Sequence, residues 1–424
     1  MLVKKNKNNS FLFFTLACLG VLILLAFTKG SSNNAIKIIP EIAQNTNYKS
    51  IQIVLKEKHY KKIKRKRNKA LTVGVLQTED DDFVPASVIY NNETFKANVR
   101  LKGDWSEHLE GLKWSFRVKL DGDRTIRGMR KFSIHHPSSR GYLNEWLYHK
   151  AIKQEGIMGL RYGFLEGFIH VRLKEADTAL TRNVGIYAME ETFDKRLIEN
   201  NKRKPGIILK LTEGDMWREL AKTHELGKVT GTGVSDKYNR RYGKSDDMTV
   251  TAYSLSKILG DDILKKQFVL SKNLLNKLKN NRLKISQVFD IEKTAKYTAI
   301  ANLFGGSHGL TTHNLRFYYN PITSLIEPIA FDGNSGLKLP KFKYYWKSSG
   351  DTVFVKQLIL ALEKVCEPSY IDNLLKNYEV DLNALNADMK LEFKNEPILS
   401  IDILRENQEI LRKTMLSLKA NQKL

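Results

Sequence analysis

GGSHGLTTHNLRFYYNPITSLIEPIAFDGNSG, residues 305–336, is the stretch on which the fold turns. Asn314 opens a strand-like run over 315–319, Asn320-Pro321 turns the chain, and a second run over 325–331 ends at Asp332. In an antiparallel hairpin the start of the first strand and the end of the second lie side by side. Asn314 and Asp332 are therefore expected at one edge, an amide oxygen beside a carboxylate. That is the hard-oxygen pair that holds magnesium against nucleotide phosphates. Asparagine and aspartate at hairpin ends are also ordinary turn chemistry, so these residues alone leave both readings open.

Outward from the hairpin, the chain divides into a strand-rich half and a helical half. Residues 50–55 read as a strand and the basic run after them as a helix or extended turn. Residues 71–76 and 84–90 alternate in the strand manner, and Asn91-Asn92 turns the second run into residues 94–101. Over 114–120, Trp114, Phe116 and Val118 share one face, and Ser115, Arg117 and Lys119 the other. Tyr142, Leu143, Trp146, Leu147 and Ala151 form the apolar face of a helix that Gly156 stops. Residues 164–171 and 183–189 pair as a hairpin, and beyond 248 apolar residues recur mainly at helical spacing. Strands first and helices later predict an α+β fold in two lobes, β-rich over about 49–215 and mainly helical over about 248–424.

Residues 1–30 carry the targeting signal. Lys4, Lys5 and Lys7 precede an apolar run over 11–27, near the lower length for crossing a bilayer, and no small-x-small cleavage pattern follows. The expectation is one transmembrane helix, an uncleaved anchor, with secretion after signal cleavage as the alternative. The lysines then place the rest of the chain on the extracytoplasmic side of the membrane, behind a polar linker over 31–48. Cys18 and Cys366 cannot form a bridge within the folded part.

The 424 residues carry a net charge of +24, from 70 basic against 46 acidic side chains, and much of it crowds into residues 56–69. Beside a membrane, such a run suits acidic glycans or anionic headgroups better than nucleic acid, unless it is simply a solvated helix face. A hydrophobic content of 42% with 19 Phe and 17 Tyr supplies a core and excludes a disordered chain.

Four segments, in order over about residues 50–340, resemble the spore-coat-protein-H (CotH) kinase family, an atypical kinase-like group. The first is Arg100-Leu101-Lys102-Gly103-Asp104-Trp105-Ser106 and the second is Lys113-Trp114-Ser115-Phe116-Arg117-Val118-Lys119. The third is GIYAMEETFDK over 185–195, and the last is the hairpin from His313-Asn314 to Asp332. The resemblance implies a compact kinase-like fold that binds ATP with Mg²⁺ or Mn²⁺ and transfers phosphate to Ser or Thr of an exported or envelope protein. Carried over by position, Lys113 would lie beneath the nucleotide phosphates, with Arg117 in the same row of cations. Glu191 would take the family's acidic position and steady a basic residue, and Asn314 and Asp332 would hold metal.

The chain departs from this pattern twice. The aspartate that protein kinases place five positions before the asparagine is Gly309 here. Either His308 serves as the base, which requires a neutral imidazole, or the site binds without transferring phosphate. The closing D-x-D is Asp332-Gly333-Asn334, one carboxylate short. The competing expectation is a non-catalytic envelope or surface protein. It would hold an acidic polymer or a partner protein with its basic surface and the aromatic run Tyr344, Tyr345 and Trp346.

Overall fold

Residues 48–173, 179–212 and 248–422 are described by the computed structural model. The first half supplies β1 (Ser50–Lys56), β2 (Val84–Tyr90), β3 (Glu93–Leu101), β4 (Phe116–Leu120), β5 (Lys131–His135), β6 (Met158–Gly159), β7 (Tyr162–Arg172) and β8 (Ala179–Glu191). All except β6 close into a barrel in the order β1-β2-β3-β4-β5-β8-β7. Period-two alternation drives this closure, because Ile51, Ile53, Val88, Phe95, Val99, Val118 and Phe132 all point inward to one apolar core. The barrel shuts through a parallel pairing of β1 with β7, a contact between segments more than a hundred positions apart. Helix α1 (Glu57–Val73) carries the basic run and buries only Ile63 and Ala70.

Residues 71–76 are the exception to the strand reading. The run of good helix formers continues to Val73, and Gly74, with φ +87°, caps the helix. Val75 makes only an isolated bridge to Trp105.

A second sheet has the order β10-β9-β11-β12-β6, with β9 (Ile207–Leu211), β10 (Val250–Ala252), β11 (Arg316–Asn320) and β12 (Leu325–Ala330). It draws strands from both sides of the 215/248 boundary, so the sheet joins the two halves rather than belonging to one. Helices α2 (Leu143–Gln154), α3 (Lys195–Asn200), α4 (Leu255–Leu259), α5 (Asp262–Lys279), α6 (Ile291–Leu303), α7 (Thr352–Val365), α8 (Ser369–Asn377), α9 (Glu379–Glu392) and α10 (Ile401–Gln422) complete the fold. The largest core lies between this sheet and the helices, with Tyr148, Tyr297, Phe304, Phe317 and Phe354 fully buried in it.

The fold is thus α+β, a barrel followed by a helical region built on a second sheet. Among the described residues no helix is long and apolar enough to cross a membrane. The expected transmembrane helix is therefore not supported, nor are the membrane partner and the single-pass placement that followed from it. The run over 11–27 on which they rested lies outside the described residues.

Candidate functional site: a cationic cleft between barrel and hairpin

The outer face of the barrel wall changes character along its length. Phe164, Ile186 and Ala188 point into the helical core, whereas one register row further along is polar across five strands. Arg100 on β3 pairs with Arg117 on β4, Arg117 with Ser133 on β5, Ser133 with Glu190 on β8, and Glu190 with Tyr162 on β7. A cleft of about 460 Å³ opens where this wall meets the β11–β12 hairpin and the turn before α2. Arg100, Lys102, Arg117, Arg140 and Arg316 line it, against Asp104, Glu107 and Asp332.

Several of these cations crowd one another, and Glu190 is shared by Lys102, Arg117 and Arg140. Arg100 and Arg117 oppose each other across the ladder, a destabilising arrangement for like charges. Burial, and then the Arg117 charge, push Arg100 down to about 10. Lys102 is only 7% exposed, and its pKa falls to about 8 through burial first and Arg140 second. Its ammonium lies 3.7 Å from Glu190. Among the described residues, Lys102 Nζ and the Nε atoms of Arg100 and Arg117 have no hydrogen-bond partner. An unsatisfied charged donor of this kind costs roughly 1–3 kcal/mol or more, so the wall is built at the expense of stability.

Across the cleft, the hairpin brings Asn314 and Asp332 to one edge, both against His308. Asn314 Nδ2 lies 3.0 Å from His308 Nδ1 and donates to the His308 carbonyl at 3.2 Å. His308 Nδ1 lies 3.2 Å from Asp332 Oδ1. The same Asp332 oxygen accepts from Arg140 Nη1 at 2.8 Å. Burial alone would raise Asp332, but Arg140 and then His308 hold its carboxyl far below the usual range. Burial alone would lower His308, but the hydrogen bond and charge of Asp332 outweigh it and raise the imidazole pKa. A histidine favoured in its cationic form is a poor proton acceptor.

The loop after Asp332 is fixed from below. Asp332 and Asn334 both adopt left-handed φ values, +52° and +51°, a region where these residue types are tolerated best after glycine. Glu145 on α2 accepts from Gly333 N at 3.0 Å, Ser335 N at 3.2 Å and Ser335 Oγ at 2.8 Å. Gly141, with φ +79°, lets the Ser335 carbonyl approach so closely that a Cβ would lie 2.1 Å from it.

Arg117, His308, Asn314 and Asp332 therefore share one cleft, whereas Lys113 and Glu191 do not line it. Lys113 precedes β4 and turns away, with Nζ donating to the Ile186 carbonyl at 2.9 Å and ion-paired with Glu392. Glu191 pairs with Arg161, whose backbone N–H it also accepts at 3.0 Å. Tyr345 and Trp346 are buried, so that aromatic run is core rather than a polymer platform. Arg100 and Lys102 both stand in the first family motif, Arg100 within the expected strand over 94–101 and Lys102 just beyond it. Arg140 and Arg316 carried no comparable signal.

A barrel, a joining sheet and a cationic cleft between them define this α+β protein. The chain belongs to the CotH kinase protein family, whose pattern it matches over residues 99–383, more than half of its length. No curated protein matches it significantly. Membership is consistent with ATP and Mg²⁺ use in general.

The expectation of a membrane-anchored, metal-dependent kinase does not survive the geometry. Among the described residues no group of three or more His, Cys, Asp or Glu side chains is placed to hold a metal ion. Magnesium requires several oxygen ligands in near-octahedral order, whereas Asp332 Oδ1 is engaged by both Arg140 and His308. Among the described residues no such ligand set is seen.

Proposed function

We propose that this protein is a non-catalytic member of its family that binds an acidic polymer, seating one anionic group of it in the cleft. The carrying observation is the pair of opposed arginines, Arg100 and Arg117, with the buried Lys102 beside them and nitrogens left without partners. An anion in the cleft beside these residues relieves the repulsion between their charges. The phosphates of ATP fit this lining as one polyanion among others, without the metal-dependent chemistry the family implies.

Thr78 lines both the cleft and a small hollow beside Lys62, Lys66 and Asp82, where Lys66 is ion-paired with Asp82 at 2.9 Å. The basic helix α1 borders that hollow, and on this ground a polymer rather than a small ion is proposed as the ligand.

Titrating labelled polyglutamate and labelled inorganic polyphosphate against the protein tests this reading. Binding should weaken steeply as salt rises and should fall with Arg117→Gln. Absent binding, or binding indifferent to salt, removes it.

A further inference from the structure

We propose that the cleft takes a phosphate group directly on its own cations, without a divalent metal, because the Arg140 guanidinium fills the cation position beside Asp332. This rests on the anion-binding reading above and goes further by naming the ligand's acidic group and how it is held.

Arg140 is 6% exposed and tied at several points. Nη1 donates to Asp332 Oδ1 at 2.8 Å and to the Ser139 carbonyl at 3.2 Å, while Nε lies 3.6 Å from Glu190. A magnesium ion at Asp332 would have to displace this guanidinium from its closest carboxylate, leaving it Glu190 and Glu145. Taking a buried cation from its hydrogen-bonded partner is unfavourable. His308 contacts the same carboxylate oxygen, so Asp332 Oδ1 is shared by two donors.

A divalent ion in a phosphate site neutralises the ligand's charge and orients its oxygens. Here that work is already done by Arg100, Arg117 and Lys102 on one wall and by Arg140 and Arg316 across from it. A further double positive charge among them would be repelled. The guanidinium fork matches adjacent oxygens of a tetrahedral phosphate, and two opposed forks suit a group carrying more than one negative charge. A single carboxylate of polyglutamate matches fewer of the donors.

Anisotropy titrations of fluorescein-labelled inorganic polyphosphate into the full chain, at constant ionic strength, test this. Affinity in EDTA is expected to equal or exceed that in Mg²⁺, because the metal and the cleft compete for the same oxygens. Arg117→Gln is expected to weaken binding about tenfold or more in both media. Lys338→Gln, at an exposed site paired with Glu406, should leave it within about twofold. Binding that needs Mg²⁺, or that strengthens about tenfold with it, overturns the metal-free site while leaving an anion-binding cleft. Equal losses from Arg117→Gln and Lys338→Gln reduce the binding to generic charge attraction and overturn both readings. So does the absence of binding in every medium.

Discussion

Lys113 and Arg117 leave the same short segment four residues apart, yet they meet opposite electrostatic surroundings. Lys113 has a dedicated carboxylate, Glu392, which also accepts from Ile186 N at 2.7 Å and so clips α9 to the barrel. Arg117 faces Arg100 across the ladder, and its Nε has no partner among the described residues. Both are shielded from water, so burial does not separate them. What separates them is how the fold shares out its counter-charge. Lys113 has a carboxylate of its own, whereas Arg117 faces Arg100 and shares the Glu190 charge with Lys102 and Arg140. Under the proposed function the first cation belongs to the architecture and the second is directed to an external anion.

The largest expected effect lies on the architectural side. Glu392→Ala leaves Lys113 buried without its partner and should destabilise the fold by about 3–5 kcal/mol, read from the denaturant midpoint. Polyphosphate affinity of the folded fraction should not change. A loss below about 1 kcal/mol would place Lys113 among the ligand-directed cations after all.

The carboxylates show the same division and give it a pH signature. Asp332 sits against cations, whereas Glu145 sits among backbone N–H groups and burial pushes it up to about 7 from 4.5. A carboxyl raised in the folded state contributes stability that is complete below pH 4.5 and is lost as pH rises through 7. At about 1.4 kcal/mol per pKa unit the decline is roughly 3 kcal/mol. Glu145→Gln should flatten it in urea titrations across that range. Asp332, held low by Arg140 and His308, acts with opposite sign. Its contribution is present above the ordinary carboxylate value, roughly 4, and is lost as pH falls below it. Burial holds His135, His136 and His149 below the usual imidazole range, and they add stability as pH rises. The deciding quantity is therefore the difference between the two proteins. A Glu145→Gln profile parallel to the wild type from pH 4.5 to 8 would contradict the assignment of Glu145.

Next in size is Arg117→Gln, which should reduce polyphosphate binding by about 1.5–3 kcal/mol. Removing one of two opposed like charges should leave the melting temperature unchanged or higher. A variant that bound normally but melted early would move Arg117 into the class of Lys113. The smallest effect is expected at the exposed pair Lys338 and Glu406, where Lys338→Ala should change stability by no more than about 0.5 kcal/mol.

How much of this was legible in the sequence depends on the range of the contacts. The β11–β12 hairpin and the meeting of Asn314 with Asp332 follow from local alternation and a turn, and both strands lie within a residue or two of the expected bounds. The β2–β3 hairpin was legible for the same reason, with Asn91 and Asn92 both at left-handed φ. The parallel closure of β1 on β7 left no local trace, because nothing near residues 50–56 specifies a partner at 166–172. The register that sets Arg100 against Arg117 depends on the long connection between β3 and β4, which alternation within each strand does not fix. Arg140 was hidden most deeply. Its role arises only when the turn before α2 packs under the loop after Asp332, and no spacing in the chain connects those two segments.

Thermal denaturation with and without inorganic polyphosphate, on the wild-type chain and Arg117→Gln at matched ionic strength, tests the ligand-directed cleft most directly. A ligand that binds only the folded form must raise the melting temperature, so at a fixed polyphosphate concentration the wild type should rise clearly more than the variant. Equal rises in both proteins, or none in either, would contradict the account.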